Sequence, residues 1–451
     1  MDPFKFKKKL DTVGPGFCLA KWEQVTLHLH NGTTHSCYHP RVHAIPLNEL
    51  KNNPSAIHNT FYKKLQRKEM LEGGRPEECS FCWNIEDSSN ECYSDRLYKS
   101  STLAPENFEK IKNLDWKGDY NPAYVEVSFN NLCNMACCYC SPIVSSRYME
   151  EIKKYGGYYI TINNYPHAIL HDLKIHGDKL PIDKNKHNPY IEAFWKWFPE
   201  LYKTLKNFRI TGGEPLINKN TYLVLDKILE NPKEDLQLSI NSNLSIPESY
   251  FTIFLKYLDK IQDSVLKDNF ILYTSLESTA KQAEYVRYGL DYNKWLKYVN
   301  KLIDEYDIKI SIMCTYNALS VSSFLDFLKL VKKFKIRKPS KFFVDVPYLE
   351  LPKFMSVLVL DKEFFIPKLN EQVDFVLNND IFTLDEKNRI KQISDFYNHF
   401  HNNLNEQELK DLKKSFYSFF KEYDKRRNLN FLEIFPEYES FWKQCGVISN
   451  G

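Results

Sequence analysis

Cys133-Asn-Met-Ala-Cys137-Cys138-Tyr139-Cys140 places four thiols within eight residues, directly after the strand-like run Tyr124 to Phe129. Cysteines this close are poorly placed to pair as structural disulfides, so the chain must fold into a tight loop here. Spacings of three residues and then two aim Cys133, Cys137 and Cys140 at one point, a donor set that suits an iron-sulfur cluster held by thiolates. Cys138 then faces elsewhere. Three protein ligands on a four-iron cluster leave one iron open, which lets the site bind and activate a small molecule. A structural zinc site is the alternative for the same thiols.

A second motif, Arg209-Ile-Thr-Gly212-Gly213-Glu214-Pro215, follows a helix-like run and a short strand. Together the two resemble the signatures of the radical S-adenosylmethionine (SAM) superfamily: CxxxCxΦC, with Tyr139 before the last cysteine, and the GGEP motif. The resemblance implies a [4Fe-4S] cluster on Cys133, Cys137 and Cys140, and SAM chelated to its open iron. Gly212, Gly213 and Glu214 would meet the methionine amino group. Asn241 and Asn243, after the third strand, would lie near the ribose, and Ser275 and Glu277, after the fourth, near the same hydroxyls. Arg287 resembles a family arginine that pairs with the SAM carboxylate, a geometry that suits a guanidinium better than an ammonium. The plainer readings are that Asn243 caps a turn before Pro247 and that Arg287 forms a surface ion pair. No adenine motif of the GxIxG kind follows the fifth strand, where Met313-Cys314-Thr-Tyr316-Asn317 stands. Cys314 reads as a core thiol or, if it faces the cavity, as a hydrogen donor to a substrate radical.

From about residue 120 to 350, strand-like and helix-like runs alternate, the pattern of βα units around a parallel sheet. The strand candidates are Tyr124 to Phe129, Phe208 to Thr211, Leu236 to Ile240, Phe270 to Leu276, Ile308 to Met313 and Phe342 to Val346. Thr221 to Leu229, Tyr250 to Ile261, Trp295 to Tyr306 and Phe324 to Phe334 carry apolar residues at helical spacing. The expected fold is α/β: a partial (β/α)6 radical SAM barrel over residues 119–350, a small N-terminal auxiliary cluster domain over 1–118, and a mainly helical C-terminal region over 351–451. Ligands of such sheets gather at the carboxyl ends of the strands, where both motifs begin. An aromatic-rich insertion around 142–205 (Tyr155, Tyr158, Tyr159, Tyr165, Tyr190, Phe194, Trp195, Trp197) reads either as a lid over the barrel mouth or as a helical hairpin with its own core. Cys445 stands alone near the end and reads as a buried thiol.

Ahead of the barrel lies a second cysteine set, Cys18, Cys37, Cys79 and Cys82, with Cys92 in reserve. Val25 to His30 alternates as a strand, Asn31-Gly32 is a hairpin turn because glycine tolerates positive φ, and Thr33 to Cys37 returns as the partner strand. The hairpin carries Cys37 back toward Cys18, and Cys79-Ser-Phe-Cys82 supplies the other pair. The pattern from Cys18 through Gly32 to Cys37 is similar to the opening of the SPASM and twitch auxiliary domains found beside radical SAM barrels, which implies one additional [4Fe-4S] cluster. Those domains commonly follow the barrel; here the matching cysteines precede it, as in a group of twitch-domain radical SAM proteins. Tetrahedral zinc is again the alternative, and His35 and His39 flank Cys37 as substitute ligands or as solvent-facing side chains.

The 61 basic and 58 acidic residues give a formal charge of +3, too even a balance to indicate nucleic acid or an anionic membrane. The N-terminus lacks the apolar core of a signal peptide, and no run is long enough to span a bilayer. Eleven cysteines in such a chain point to metal or redox chemistry in a cytoplasmic setting. The resemblance implies an enzyme that cleaves SAM reductively to a 5'-deoxyadenosyl radical, with an electron donor such as flavodoxin or ferredoxin. It also implies oxidative modification of a peptide or protein side chain, the auxiliary cluster taking up substrate electrons. A dehydrogenase or epimerase acting on a small molecule (sugar, amino acid or antibiotic precursor) is the competing enzyme reading, and a non-enzymatic iron-sulfur or zinc protein the third class.

Overall fold

A computed structural model of the chain describes residues 2–88, 93–158, 179–183 and 185–450. Among them, nine strands occur: β1 Gln24–His28, β2 Thr33–His35, β3 His43–Ala44, β4 Tyr124–Ser128, β5 Asn207–Thr211, β6 Gln237–Ser242, β7 Phe270–Ser275, β8 Lys309–Met313 and β9 Phe342–Asp345. Their order in the sheet is β3-β2-β1-β4-β5-β6-β7-β8-β9. β4 to β9 are the six strands read from the sequence, shifted by no more than two residues at either end. The three additional strands come from the N-terminal segment. By contacts the chain divides into two compact units.

The first unit comprises Met1–Asn131, Leu173–Gly212 and Lys233–Leu238. β1 and β2 form the expected antiparallel hairpin, with His28 opposite Thr33, but the connection is Leu29 to Gly32 rather than a two-residue turn. The cause is a competing partner: β1 also pairs in parallel with β4, and the Leu29 N–H donates to the Ser128 carbonyl at 2.9 Å, drawing the chain away from β2. Gly32 closes the loop at φ 71°, where an added Cβ would lie 2.1 Å from the Tyr190 ring. Because β1 lies against β4, the N-terminal strands extend the barrel sheet, and this unit continues past residue 118 to include β4 and β5. A separate core of Phe6, Leu10, Phe17, Leu19, Trp22, Met70 and Trp83 surrounds Cys79 and Cys82.

The aromatic insertion supplies the helix Pro189–Thr204, started by the Asn188 side chain, which accepts from the Tyr190 and Ile191 N–H groups. Phe194, Trp197 and Phe198 are buried along it, and Phe194 meets Phe129 edge-on at 5.1 Å. These aromatics belong to the core beside β4 and β5, where Phe194 also stacks on Phe208, rather than to a separate core of the insertion. Tyr159 and Tyr165 lie outside the described residues.

The second unit comprises Leu132–Asp172, Gly213–Pro232 and Ser239–Gly451. β7 and β8 pair in parallel, as do β8 and β9. β7 alternates, with Phe270, Leu272 and Thr274 buried. The helix Tyr292–Glu305 begins where Asp291 accepts from the Lys294 N–H at 2.9 Å, and buries Trp295, Val299, Leu302 and Ile303 along one stripe. Beyond β9 the chain is helical, with main segments Lys362–Leu377, Leu384–Asn402, Glu406–Arg427 and Glu439–Asn450. Glu406–Arg427 opens with a capping box between Asn405 and Glu408, and Asn428 ends it in the left-handed conformation at φ 52°. No helix among the described residues is long and apolar enough to cross a membrane.

Candidate functional site

The loop carrying Cys133, Cys137, Cys138 and Cys140 follows β4 and is held by backbone bonds rather than by its thiols. Ala136 N–H donates to the Tyr288 carbonyl and Cys138 N–H to the Val286 carbonyl, each at 2.8 Å. Cys140 N–H closes a turn onto the Cys137 carbonyl at 3.0 Å. Segment 285–288 is braced in turn by the C-terminal helix: Tyr423 donates to the Tyr285 carbonyl, and Tyr285 donates to Asp424, both at 2.6 Å. Arg427 stacks over Tyr423 and Tyr288 and pairs with Glu151 at 2.5 Å.

N–H groups point at two of the three expected ligands. Met135 N–H donates to Cys133 Sγ at 3.5 Å, and Arg287 Nη1 lies 4.0 Å from Cys137 Sγ. Burial pushes the Cys133 thiol up to about 12, with the neighbouring Cys137 adding to it. Burial also raises Cys137, while the Arg287 guanidinium pulls it down. Thiols so placed stay protonated until a metal displaces the proton, and a three-thiolate donor set with N–H groups on its sulfurs fits an iron-sulfur cluster. Cys138 is buried, its thiol raised well above the ordinary value first by burial and then by the charge of Cys137.

The glycine-rich turn joins this loop. Gly212 and Gly213 both have positive φ, 77° and 51°. Glu214 N–H then donates to the carbonyl of Leu132, next to Cys133, at 2.7 Å. The Glu214 carboxylate is fully buried and accepts from Leu216 N–H at 3.0 Å, Ser242 Oγ at 2.8 Å and Asn243 N–H at 2.7 Å. Burial raises its pKa to about 7, against those three donors. A carboxylate has about four acceptor positions, so one remains for a ligand ammonium. Asn243 donates to Asn134 within the cysteine loop at 2.9 Å, and its own Oδ1 accepts from Ser245 N–H. It is thus both a turn-former and a tie between the two motifs. Asn241 sits near the end of β6 and Ser275 at the end of β7, both half-buried.

Arg287 and Glu277 meet each other. Arg287 donates to Glu277 through Nε at 2.8 Å and Nη2 at 2.7 Å, and Tyr139 donates to the other carboxylate oxygen at 3.2 Å. Arg287 is therefore a buried ion pair rather than a surface one, and its remaining nitrogen faces Cys137. Asn134, Tyr285 and Tyr288 escaped the sequence reading because backbone tethers leave no spacing pattern. Cys314 and Cys445 are wholly buried core thiols.

In the first unit, Cys18, Cys37, Cys79 and Cys82 line one cavity, together with Lys21 and Arg96. The segments that bring them there are the end of the hairpin, the short helix Ala20–Glu23 and the turn Glu77–Cys79 leading into Ser80–Ser88. Burial pushes Cys79 and Cys82 up to about 12, and the charges of the neighbouring thiols act in the same direction. Ser100 Oγ donates to Cys18 Sγ at 3.8 Å. His39 stacks on Phe81 and bonds Asp95 at 2.8 Å. His35 is buried rather than solvent-facing, with Nδ1 2.5 Å from the Cys37 carbonyl. Cys92 lies outside the described residues. Among the described residues, no three His, Cys, Asp or Glu side chains are close enough to hold one metal ion. Four thiols, Cys79 and Cys82 buried and Cys18 and Cys37 half-buried, around a cavity with hydrogen-bond donors and cations in its wall fit an iron-sulfur cluster.

The successive strands β4 and β5 of this mostly parallel α/β sheet end in the CxxxCxYC loop and the GGEP turn. No family model matches the chain. It is 21% identical over 223 residues to a protein named GTP 3',8-cyclase from Syntrophomonas wolfei subsp. wolfei, a match covering 49% of this chain and 55% of that protein. The chain thus spans about half the length of that relative. Two solved structures are also similar: anSMEcpe with bound AdoMet, at 17% identity and a TM-score of 0.34 over 56% of each chain, and anSMEcpe with bound AdoMet and the Cp18Cys peptide, at 16% identity and a TM-score of 0.32 over 56% of this chain and 58% of that one.

Proposed function

We propose that this chain is a radical SAM enzyme that uses SAM to oxidise a peptide or protein side chain. The observation that carries the reading is the bond from Glu214 N–H to the Leu132 carbonyl, which places the buried Glu214 carboxylate beside the cysteine loop. Cys133, Cys137 and Cys140 would hold a [4Fe-4S] cluster, whose chemistry would be one-electron reductive cleavage of a carbon-sulfur bond of SAM. Glu214 receives the ammonium of the methionine moiety on its remaining acceptor position, and the Gly212-Gly213 turn lets the backbone approach. Asn241, Asn243 and Ser275 supply polar contacts to the ribose. The Tyr139, Glu277 and Arg287 group fixes the guanidinium against Cys137, with the SAM carboxylate at its outer edge. Cys18, Cys37, Cys79 and Cys82 would hold a second [4Fe-4S] cluster, which would supply a one-electron acceptor for substrate oxidation. A flavodoxin- or ferredoxin-type protein is the electron donor. The nucleotide in the name of the 21%-identical relative favours a second reading, a small-molecule substrate.

Glu214→Gln tests the ammonium contact while keeping the shape of the side chain. Charge-assisted hydrogen bonds contribute about 1.5–3 kcal/mol, so SAM affinity, measured by anaerobic calorimetry, is expected to fall about ten- to a hundredfold with the iron content unchanged. Unchanged SAM affinity would remove Glu214 from the SAM site. Turnover of a peptide pool, set against a pool of nucleotides, sugars and amino acids, separates the two substrate readings.

A further inference from the structure

Lys21 is 2% exposed, an unusual place for an ammonium. It follows Cys18 by three residues and pairs with Glu78, which precedes Cys79. The ion pair therefore joins the short helix Ala20–Glu23, which follows Cys18, to the turn Glu77–Cys79, which ends on Cys79. Of the other cations in the cavity wall, Arg96 is taken up by Glu86 at 2.7 Å and Asp11 at 3.1 Å, and Lys99 by Asp95 at 3.0 Å. Lys21 lines the cavity with the four cysteines and Glu78 does not, so the ammonium end of the pair faces the thiols.

We propose that Lys21 and Glu78 are positioning residues of opposite sign that set the reduction potential of the four-cysteine cluster, Lys21 favouring the reduced state and Glu78 opposing it. The proposal rests on the cavity holding a [4Fe-4S] cluster. Reduction adds one negative charge to a site already lined by four thiolates, and in a buried, weakly polar setting a nearby ammonium stabilises that charge far more than it would in water. The same cation keeps the cluster able to take an electron from a substrate radical.

The test uses the full chain with Cys133, Cys137 and Cys140 replaced by alanine, so that only the auxiliary cluster signals, with the midpoint potential followed by electron paramagnetic resonance during a redox titration. Lys21→Met is expected to shift the midpoint to more negative values, Glu78→Gln to more positive ones, and Lys21→Arg to leave it close to the starting value. Shifts of the same sign in Lys21→Met and Glu78→Gln, or none in either, would overturn the proposal while leaving the cluster assignment intact. If Lys21→Met does not take up iron, Glu78→Gln decides alone: an unmoved or more negative midpoint overturns the proposal. Absence of iron and sulfide before either change is made would overturn the cluster assignment itself.

Discussion

Replacing Cys133, Cys137 and Cys140 together by alanine is expected to lower iron and sulfide from about eight to about four atoms of each per chain and to abolish all SAM cleavage. The fold should survive the change. The loop is tied by Ala136 N–H to Tyr288, Cys138 N–H to Val286 and Glu214 N–H to Leu132, bonds that need no thiol. The remaining four irons would belong to the proposed cluster of Cys18, Cys37, Cys79 and Cys82, beside the separate core around Trp22, Met70 and Trp83. Metal and sulfide analysis of anaerobically reconstituted protein, beside the wild-type chain, measures this. Loss of all iron would show that the two cysteine sets depend on each other, and unchanged iron would place the clusters elsewhere.

Gly212→Ala is expected to be the most damaging single change in the glycine-rich turn. Gly212 sits at φ 77°, and an added Cβ would lie 1.8 Å from Ser128 Oγ and 2.4 Å from Ser128 Cβ. The left-handed conformation alone costs a non-glycine residue about 1–2 kcal/mol, and relieving overpacking adds about 1–3 kcal/mol. Ser128 cannot simply rotate away without loss, since its hydroxyl contacts His30 Nδ1 at 3.1 Å. Moving Gly212 also moves Glu214, so both stability and SAM binding should fall. A drop in thermal midpoint with SAM affinity reduced at least tenfold is the expected result, partly recovered by adding Ser128→Gly to make room. Full SAM affinity in Gly212→Ala would mean that the turn does not shape the site.

The strands β4 to β9 were legible because each is a short apolar run bounded by turn residues, and β7 shows why: its buried Phe270, Leu272 and Thr274 alternate with half-buried neighbours. The two motifs were legible by spacing. The pairing of β1 with β4 was not, since it joins residues about a hundred positions apart and depends on the whole intervening segment folding back. Arg287 was found as a functional candidate, but its bond to Glu277 is a property of two loops meeting, and no periodicity encodes it. Lys21 reads as one more surface lysine until Glu78 is seen beside it. The brace from Tyr423 and Arg427 onto segment 285–288 was hidden for the same reason: the helix Glu406–Arg427 announces its apolar face, not the loop that face will support.

The most direct measurement is the release of 5'-deoxyadenosine. Anaerobically reconstituted wild-type protein given dithionite and SAM, with no substrate added, is expected to form 5'-deoxyadenosine and methionine in equal amounts, slowly, because reductive cleavage proceeds without a substrate and the radical then takes a hydrogen atom from buffer, reductant or protein. The alanine variant of Cys133, Cys137 and Cys140 should form none, while alanine at Cys18, Cys37, Cys79 and Cys82 should leave the uncoupled reaction in place. Cluster-loaded wild-type protein that yields no 5'-deoxyadenosine with dithionite or a stronger low-potential reductant would contradict the account and leave electron transfer or binding as the role of the barrel cluster.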